Sequence, residues 1–406
     1  MNEIQRLIHE MCPDGVPMVA LGEVCTKITD GSHNPPAGID CSSFRMISSQ
    51  NIFNDKLVLN DIRFLNEEDF WKENRRTDVS QGDLLLTIVG AIGRCYVVKK
   101  EDLPFTCQRS VAVLKLNKTN VIPEYVHECI VNINSFLETQ ANGAAQKGLY
   151  LKQISKIQIP LPPLPIQQRI VEILDKFTSL VSSLDSEIAL RQKQYEYYRN
   201  KLLTFEEGDE GVEWKTIGDF AYVTDYVSNG SFASLRENVH YKSEPDYAVL
   251  IRLADYSSGF DSSKFVYIDQ NAYNFLEKSN LNGGEIIISN VGSCGVMFRC
   301  PKLSIRMSLA PNTIMVKSNI DDYLYYWLGS KKGQKEIMKF VSPGAMPKFN
   351  KTQFKTILVP IPPKSVQHSI VQTLDTFESL IANLKKEREL RQKQYEYYRE
   401  KLLTFE

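Results

Sequence analysis

The sequence predicts an α+β chain: two β-rich domains in tandem, separated and joined by two long helices packed as an antiparallel coiled coil, the whole a pseudo-two-fold internal repeat. Three observations carry that prediction. The stretch LRQKQYEYYRNKLLTFE at 190–206 returns as LRQKQYEYYREKLLTFE at 390–406, with sixteen of seventeen residues unchanged. A duplication this clean outranks local propensity in deciding a fold. The match continues upstream at the same offset of 200, IQIPLPPLPIQQRIVEILDKFTSL (157–180) against ILVPIPPKSVQHSIVQTLDTFESL (357–380). Finally, an apolar heptad runs through both copies with no Gly or Pro inside it.

Composition fits this frame. A chain of 406 residues has room for two cores, and 43% hydrophobic with 24% charged residues is ordinary for a globular protein. No apolar run approaches the roughly 18 residues that span a bilayer, and MNEIQRLIHEMC is too polar for a signal peptide, so no membrane role and a cytoplasmic location are expected. The eight cysteines form no CxxC and no regular spacing, which suits reduced thiols better than disulfides or zinc. A net charge of −1 argues against a chain coated in nucleic-acid-binding charge, yet leaves room for a local basic face.

The elements follow in order. The first domain (1–156) opens on DGVPMVALGEV (14–24) and reads as short strands, DLLLTIV, CYVVKK and VAVLKL, separated by turn residues. Helix is expected around EYVHECIVNINSFLETQ. PLPPLP (160–165) ends any strand and forms a stiff extended entry to the first spacer (157–206). There Ile170, Leu174, Phe177, Val181, Leu184, Ile188, Arg191, Tyr195, Tyr198 and Leu202 alternate spacings of four and three. About 37 helical residues make a rod of roughly 55 Å. The second domain (207–356) repeats the plan more faintly. EGVEWKTIGDF (210–220) parallels 14–24, GEIIISNVGSCGVM (284–297) parallels GDLLLTIVGAIGRC (82–95), and VSPGAMPKFNKTQFKTI (341–357) parallels ANGAAQKGLYLKQISKI (141–157). PIPP (360–363) then opens the second spacer (357–406), whose seam carries Arg388 where the first has Ile188. Neither rod can hide its stripe alone, and a chain that folds back on itself favours antiparallel pairing with an approximate two-fold axis.

Catalytic signatures are thin. NPPA (34–37) resembles the tetrapeptide of adenine methyltransferases, but Ala37 cannot stack on a flipped base and no glycine-rich cofactor loop precedes it. The turns Gly90–Gly93 and Gly292–Gly295 lack the GK[ST] of a phosphate loop, and His33 and His127 lack ligand partners at metal spacing. No nucleophile–base pair stands out, so the chain is read as no enzyme by itself, with no metal and no cofactor of its own.

Two different heads on a rigid two-fold spacer suit a bipartite, pseudo-symmetric target, and duplex DNA is such a target. The order head, PLPPLPIQQRIV, helix, head, PIPPKSVQHSIV, helix, with its G-x-x-G turns, resembles the specificity (S) subunit of type I restriction–modification enzymes over essentially the whole chain. The second helix entry departs from that pattern: Ser365 and Val366 follow a lysine, and His368 replaces a glutamine. Both copies place an aliphatic residue, Ile166 and Val366, where the family commonly has an acid. The resemblance implies two target-recognition domains, each reading half of a split asymmetric site in double-stranded DNA. It implies helices that hold two methyltransferase (M) subunits using S-adenosylmethionine, and restriction (R) subunits using ATP and Mg, in a bacterium or archaeon. The rival readings are a duplicated scaffold whose heads bind protein or glycan, and a self-contained methyltransferase.

Polar loops that repeat in position supply the candidate DNA contacts. In the first head these are Ser32, His33, Gln50, Asn51, Arg94, Arg109, Lys147 and Lys152. In the second they are Ser228, Asn229, Arg252, Arg306, Lys348, Asn350 and Lys351. Lys147 and Lys348, four residues after Gly143 and Gly344, are the favoured phosphate contacts. For partner binding the candidates are Gln167 and Gln168 at the helix entry, then Arg191, Lys193 and Tyr197 with their copies Arg391, Lys393 and Tyr397. Tyr195 and Tyr198 fall on the seam and are assigned to rod packing.

Overall fold

The computed structural model describes residues 2–53, 55–141 and 148–405. By its packing the chain divides into two compact units, Met1–Asp185 with Lys386–Glu406, and Ser186–Lys385. Each unit therefore holds one head and a part of each long helix.

In the first unit, helix Asn2–Met11 buries Ile4 in the core, and strand Met18–Ala20 pairs antiparallel with Gln158–Pro160. A four-stranded antiparallel sheet runs in the order Cys25–Asp30, Val111–Leu116, Leu84–Thr87, Cys95–Val97. Apart from Thr87 and Lys115 its central strands are apolar, because both faces are covered. Leu84, Leu86, Ala112 and Leu114 join the core that includes helix Pro123–Asn132. Their alternates Leu85, Val111 and Val113 pack with Ile47 and Phe105, as the two-residue period of a strand requires. Ile47 and Phe105 belong to a second, mixed sheet, in which Phe44–Ile47 pairs antiparallel with Arg63–Leu65 and parallel with Phe105–Cys107.

The second unit repeats this topology. Its four-stranded sheet runs Tyr222–Asp225, Thr313–Lys317, Ile286–Ser289, Met297–Arg299. Ile286, Ile288, Ile314 and Val316 face one core, and Ile287 and Met315 face another. The mixed sheet is Val266–Ile268, Ala248–Ile251, Arg306–Leu309 and Asn280–Leu281, again with one parallel pair. Helices Asp321–Gly329 and Lys331–Met338 follow the last strand of the four-stranded sheet in sequence.

The long helices are Leu164–Leu202, 39 residues, and Lys364–Thr404, 41 residues. Within the first unit they run antiparallel, with Phe177 stacked on Tyr398 at 5.2 Å and the Arg388 guanidinium 3.0 Å from Asp185. Within the second unit Tyr198 stacks on Phe377 at 5.5 Å, and the Tyr195 hydroxyl donates to Glu378 at 2.7 Å. Ile170, Leu174, Val181, Ile370, Leu374 and Ile381 are buried along the seam. Tyr198 packs between the rods as expected, stacked on Phe377, while 40% of its surface stays exposed.

Each helix end also enters a head. Tyr395, Leu402 and Leu403 join the core of the first unit, and Leu203, with Tyr195 and Leu202 at its margin, joins that of the second. At the first junction the Tyr395 hydroxyl donates to the buried Glu128 at 2.8 Å. His127 lies 3.8 Å from Glu128 and 3.4 Å from Asp55. Burial alone would lower the His127 pKa, but bonding to Asp55 and Glu128 outweighs it and raises the value to about 9. His127 is thus a buried, paired side chain.

Candidate nucleic-acid interface

In the first head, backbone hydrogen bonds lace five loop segments together at one end of the four-stranded sheet. Gly31 lies so close to the Cys107 carbonyl that a Cβ would sit 2.0 Å from its oxygen, which only glycine permits. Ser32 N–H then donates to the Cys107 carbonyl at 2.8 Å, and Arg109 N–H to that of Ser32 at 2.8 Å. Gln108 N–H donates to Ile47 at 2.8 Å, Ile88 N–H to Ser110 at 2.9 Å, and Leu149 N–H to Ile88 at 2.9 Å. This weave brings Ser32, His33, Gln50, Arg109 and Lys152 to one end of the head, and of these all but Ser32 are exposed. The neighbouring turn has Gly90 and Gly93 at φ near +85°, and a Cβ on Gly93 would collide with Asn134 at 1.6 Å. After it, Arg94 donates to the Ile52 carbonyl at 3.1 Å and lies over the Phe53 ring.

Asn51 does not present its amide to a ligand. It is buried, its oxygen accepts from Ser48 N–H at 2.9 Å, and its NH₂ donates to the Val58 and Asn60 carbonyls at 3.0 and 3.3 Å. Its chemistry is used inside the loop. Lys147 lies outside the described residues.

The second head repeats three of these links. Ala310 N–H donates to Ile251 at 3.1 Å, Asn290 N–H to Asn312 at 3.1 Å, and Phe349 N–H to Asn290 at 3.0 Å. Lys348 is exposed and bridges Val291 as Gly148 bridges Val89. Its positional counterpart is therefore Gly148 rather than Lys147. Asn350 caps helix Lys351–Lys355 by accepting from Gln353 N–H at 2.9 Å. The Lys351 ammonium lies 2.9 Å from Asp225, and the Ser228 hydroxyl donates to the same carboxylate at 2.6 Å.

Three further candidates are committed elsewhere. Asn229 donates to Tyr226 and Ser279 at 3.0 and 2.8 Å and accepts from Lys278 N–H at 3.1 Å, which uses its whole amide edge. Arg252 grips Asp255 at 3.0 and 2.5 Å and donates to the Lys264 carbonyl at 2.7 Å. Arg306 begins the strand that ends at Leu309, just before Ala310, so it stands roughly 10 Å along the strand from the woven loops, over the Tyr247 ring.

On the helices, Gln167 is buried and points inward. Its oxygen accepts from Ile122 N–H at 3.0 Å, and its NH₂ donates to the Asn120 and Pro162 carbonyls at 3.0 and 2.8 Å. It locks the proline entry to the head and leaves no group for a partner. Gln168 is exposed beside Glu172. Arg191 and Arg391 pair within their own helices with Glu187 and Glu387 at 2.8 and 2.7 Å. Lys193, Tyr197, Lys393 and Tyr397 are exposed in both copies, with Lys201 and Lys401 over the respective Tyr197 and Tyr397 rings.

Sequence reasoning gave the acids of this surface no role in holding cations. Asp30 and Asp225 each end a strand and hold cations there. It also missed Tyr150, 66% exposed beside the anchored Leu149. An acid at the same strand end in both heads was a usable signal, but only once the strands were aligned.

A family model described as the type I restriction modification DNA specificity domain matches this chain twice, at residues 13–190 and 209–392. The type I restriction enzyme EcoR124I/EcoR124II specificity subunit of Escherichia coli is 30% identical over 263 residues, and the match spans 62% of this chain and 63% of that protein. Among solved structures, the S subunit of a type I restriction-modification system from M. genitalium superposes with a TM-score of 0.54 at 15% identity, over 96% of each chain. A chain from a type I R-M system, solved for its complex assembly and conformational transition, gives 0.60 at 16% identity over 96% of this chain and 98% of that one. At such identities the structural likeness is one of fold.

Proposed function

The chain belongs to the type I restriction modification DNA specificity family, and on that premise we propose that it is the DNA sequence-specificity subunit of a type I restriction–modification complex. It reads an asymmetric bipartite site, one half per head, and positions two adenine methyltransferase subunits, with restriction subunits, on the DNA.

The observation that carries this reading is the woven loop end that both heads build in one topology with different side chains. His33, Gln50, Arg109 and Lys152 line it in the first head; Lys348, Asn350 and Lys351 line it in the second. A shared scaffold with divergent polar loops is what two different half-sites demand. Gln50 has the amide chemistry to pair bidentately with adenine, while arginine and lysine serve guanine edges and phosphates. The chain binds and orients. The methyl donor S-adenosylmethionine, and ATP with Mg, belong to the partner subunits, which supply the methylation and cleavage chemistry. The exposed Lys193 and Tyr197, repeated as Lys393 and Tyr397, offer two equal docking faces for two copies of one M subunit.

The test is to co-express the chain with an adenine methyltransferase subunit of a type I system and to map methylated adenines genome-wide. A bipartite motif is expected, and exchanging the first head for that of a relative should change one half only. Absence of a bipartite motif, or a motif that survives the exchange, overturns the assignment.

A further inference from the structure

Both heads end the same sheet strand on the same acid and use it alike. Asp30 pairs in register with Ala112, and Asp225 with Ile314, at matching points of the two sheets. Their side chains are 12% and 13% exposed. Each bonds the side chain three residues on, His33 Nε2 at 2.7 Å from Asp30 and Ser228 Oγ donating to Asp225 at 2.6 Å. Each also takes a cation from another element. Arg76, in the last turn of helix Glu67–Thr77, pairs with Asp30 and donates from Nε to Thr29 Oγ1 at 3.4 Å. Lys351, at the start of helix Lys351–Lys355, pairs with Asp225 at 2.9 Å. These cations come from elements that the repeat does not relate, yet they arrive at the same acid.

A carboxylate on a surface that meets a polyanion is repelled by it unless the charge is used locally. Here each carboxylate is nearly sheltered and grips one side of a cation whose remainder, 53% of Arg76 and 31% of Lys351, stays exposed. Gripping a long side chain fixes its direction before binding, which turns a general phosphate attraction into a placed donor. Resting on the DNA-reading function above, we propose that Asp30 and Asp225 are positioning residues that aim Arg76 and Lys351 at acceptor edges of a base, guanine foremost, one in each half-site.

The experiment uses the full chain in complex with its methyltransferase, with the methylation motif as the readout. In Arg76→Gln and Asp30→Asn, discrimination at one position of one half should fall about tenfold while the other half is unchanged. The double variant should be no worse than Arg76→Gln alone, because the acid acts through the arginine. Lys351→Gln and Asp225→Asn should relax the opposite half. Arg76→Gln and Lys351→Gln remove half-exposed heads and keep the proposal testable if an acid variant fails to accumulate. Intact discrimination in Arg76→Gln, uniform weakening across all sequences, or equal loss in both halves would each overturn the proposal. A wild-type complex with no bipartite motif would instead overturn the functional reading beneath it.

Discussion

The same substitution made in the two copies of the repeated helix should have different costs. Tyr395 and Tyr195 occupy identical sequence, and each donates its hydroxyl to a glutamate, at 2.8 and 2.7 Å. Their acceptors differ. Glu128 is 6% exposed at the junction of head and helix, whereas Glu378 lies on an open helix face. Tyr395→Phe leaves a buried carboxylate oxygen without its donor, which costs about 1–3 kcal/mol. Tyr195→Phe lets water replace the hydroxyl at Glu378, so the loss is under about 1 kcal/mol. The ring contacts cancel in the comparison, since Arg399 lies 5.0 Å over Tyr395 and Arg199 5.1 Å over Tyr195. Two units need not unfold together, so a single melting curve is the wrong assay. Hydrogen exchange resolves them, read at the central strands Val111–Leu116 and Thr313–Lys317. The Tyr395→Phe loss should appear in the first strand and the smaller Tyr195→Phe loss in the second. Equal losses, or a larger one for Tyr195→Phe, would refute the claim that burial of the acceptor sets the cost.

Three more expectations follow from the same geometry. The folded pKa of His127, about 9, stands above its ordinary 6.5, so its stabilisation is full below about pH 6.5 and is lost as pH rises through 9. Hydrogen-exchange protection of Val111–Leu116 in wild type and His127→Gln should therefore differ most at low pH and converge above pH 9, and a gap independent of pH would contradict the pairing. Gln167→Ala strips three buried hydrogen bonds and should cost about 2–3 kcal/mol, against about 1 kcal/mol for Gln367→Ala, which loses a bond to Pro362, each read by hydrogen exchange in its own head. Lys348→Ala should flatten the salt dependence of DNA binding by about one ion, and an unchanged slope in a binding titration would remove it from the phosphate contacts.

The parts of the fold legible in the sequence were those with a strong period or a repeat. The long helices, the strands around DLLLTIV and EIIISNV, and both proline entries announce themselves through spacing and punctuation. The mixed sheets did not, because short strands such as Phe105–Cys107 and Arg306–Leu309 depend on a parallel partner far away in sequence. Among the candidate residues, polarity on a loop matched exposure at His33, Gln50 and Lys348. It misled at Asn51, Asn229 and Gln167, whose amides are equally good at satisfying buried backbone groups. No sequence rule separates those two uses of an amide before the backbone around it is known.

The near-identity of the seventeen-residue repeat has two causes, which burial separates. Tyr195 with Tyr395, Leu202 with Leu402, and Leu203 with Leu403 pack into equivalent cores, so part of the identity is fixed by two heads that need the same plug. The single difference has a local cause as well. Asn200 accepts from Lys331 N–H at 2.8 Å, at the start of helix Lys331–Met338. Packing cannot explain Lys193, Glu196, Tyr197 and Lys201, which are exposed in both copies and still unchanged. Surface positions under no such constraint drift, as the outward residues of the heads have done. That residue of unexplained identity is the strongest reason to place one partner, taken twice, on these helix faces. Charge reversal at Lys193 and Lys393 together should then release the methyltransferase in a co-purification while leaving hydrogen exchange in both heads unchanged. Retention of a full complement of partner would move the docking face elsewhere.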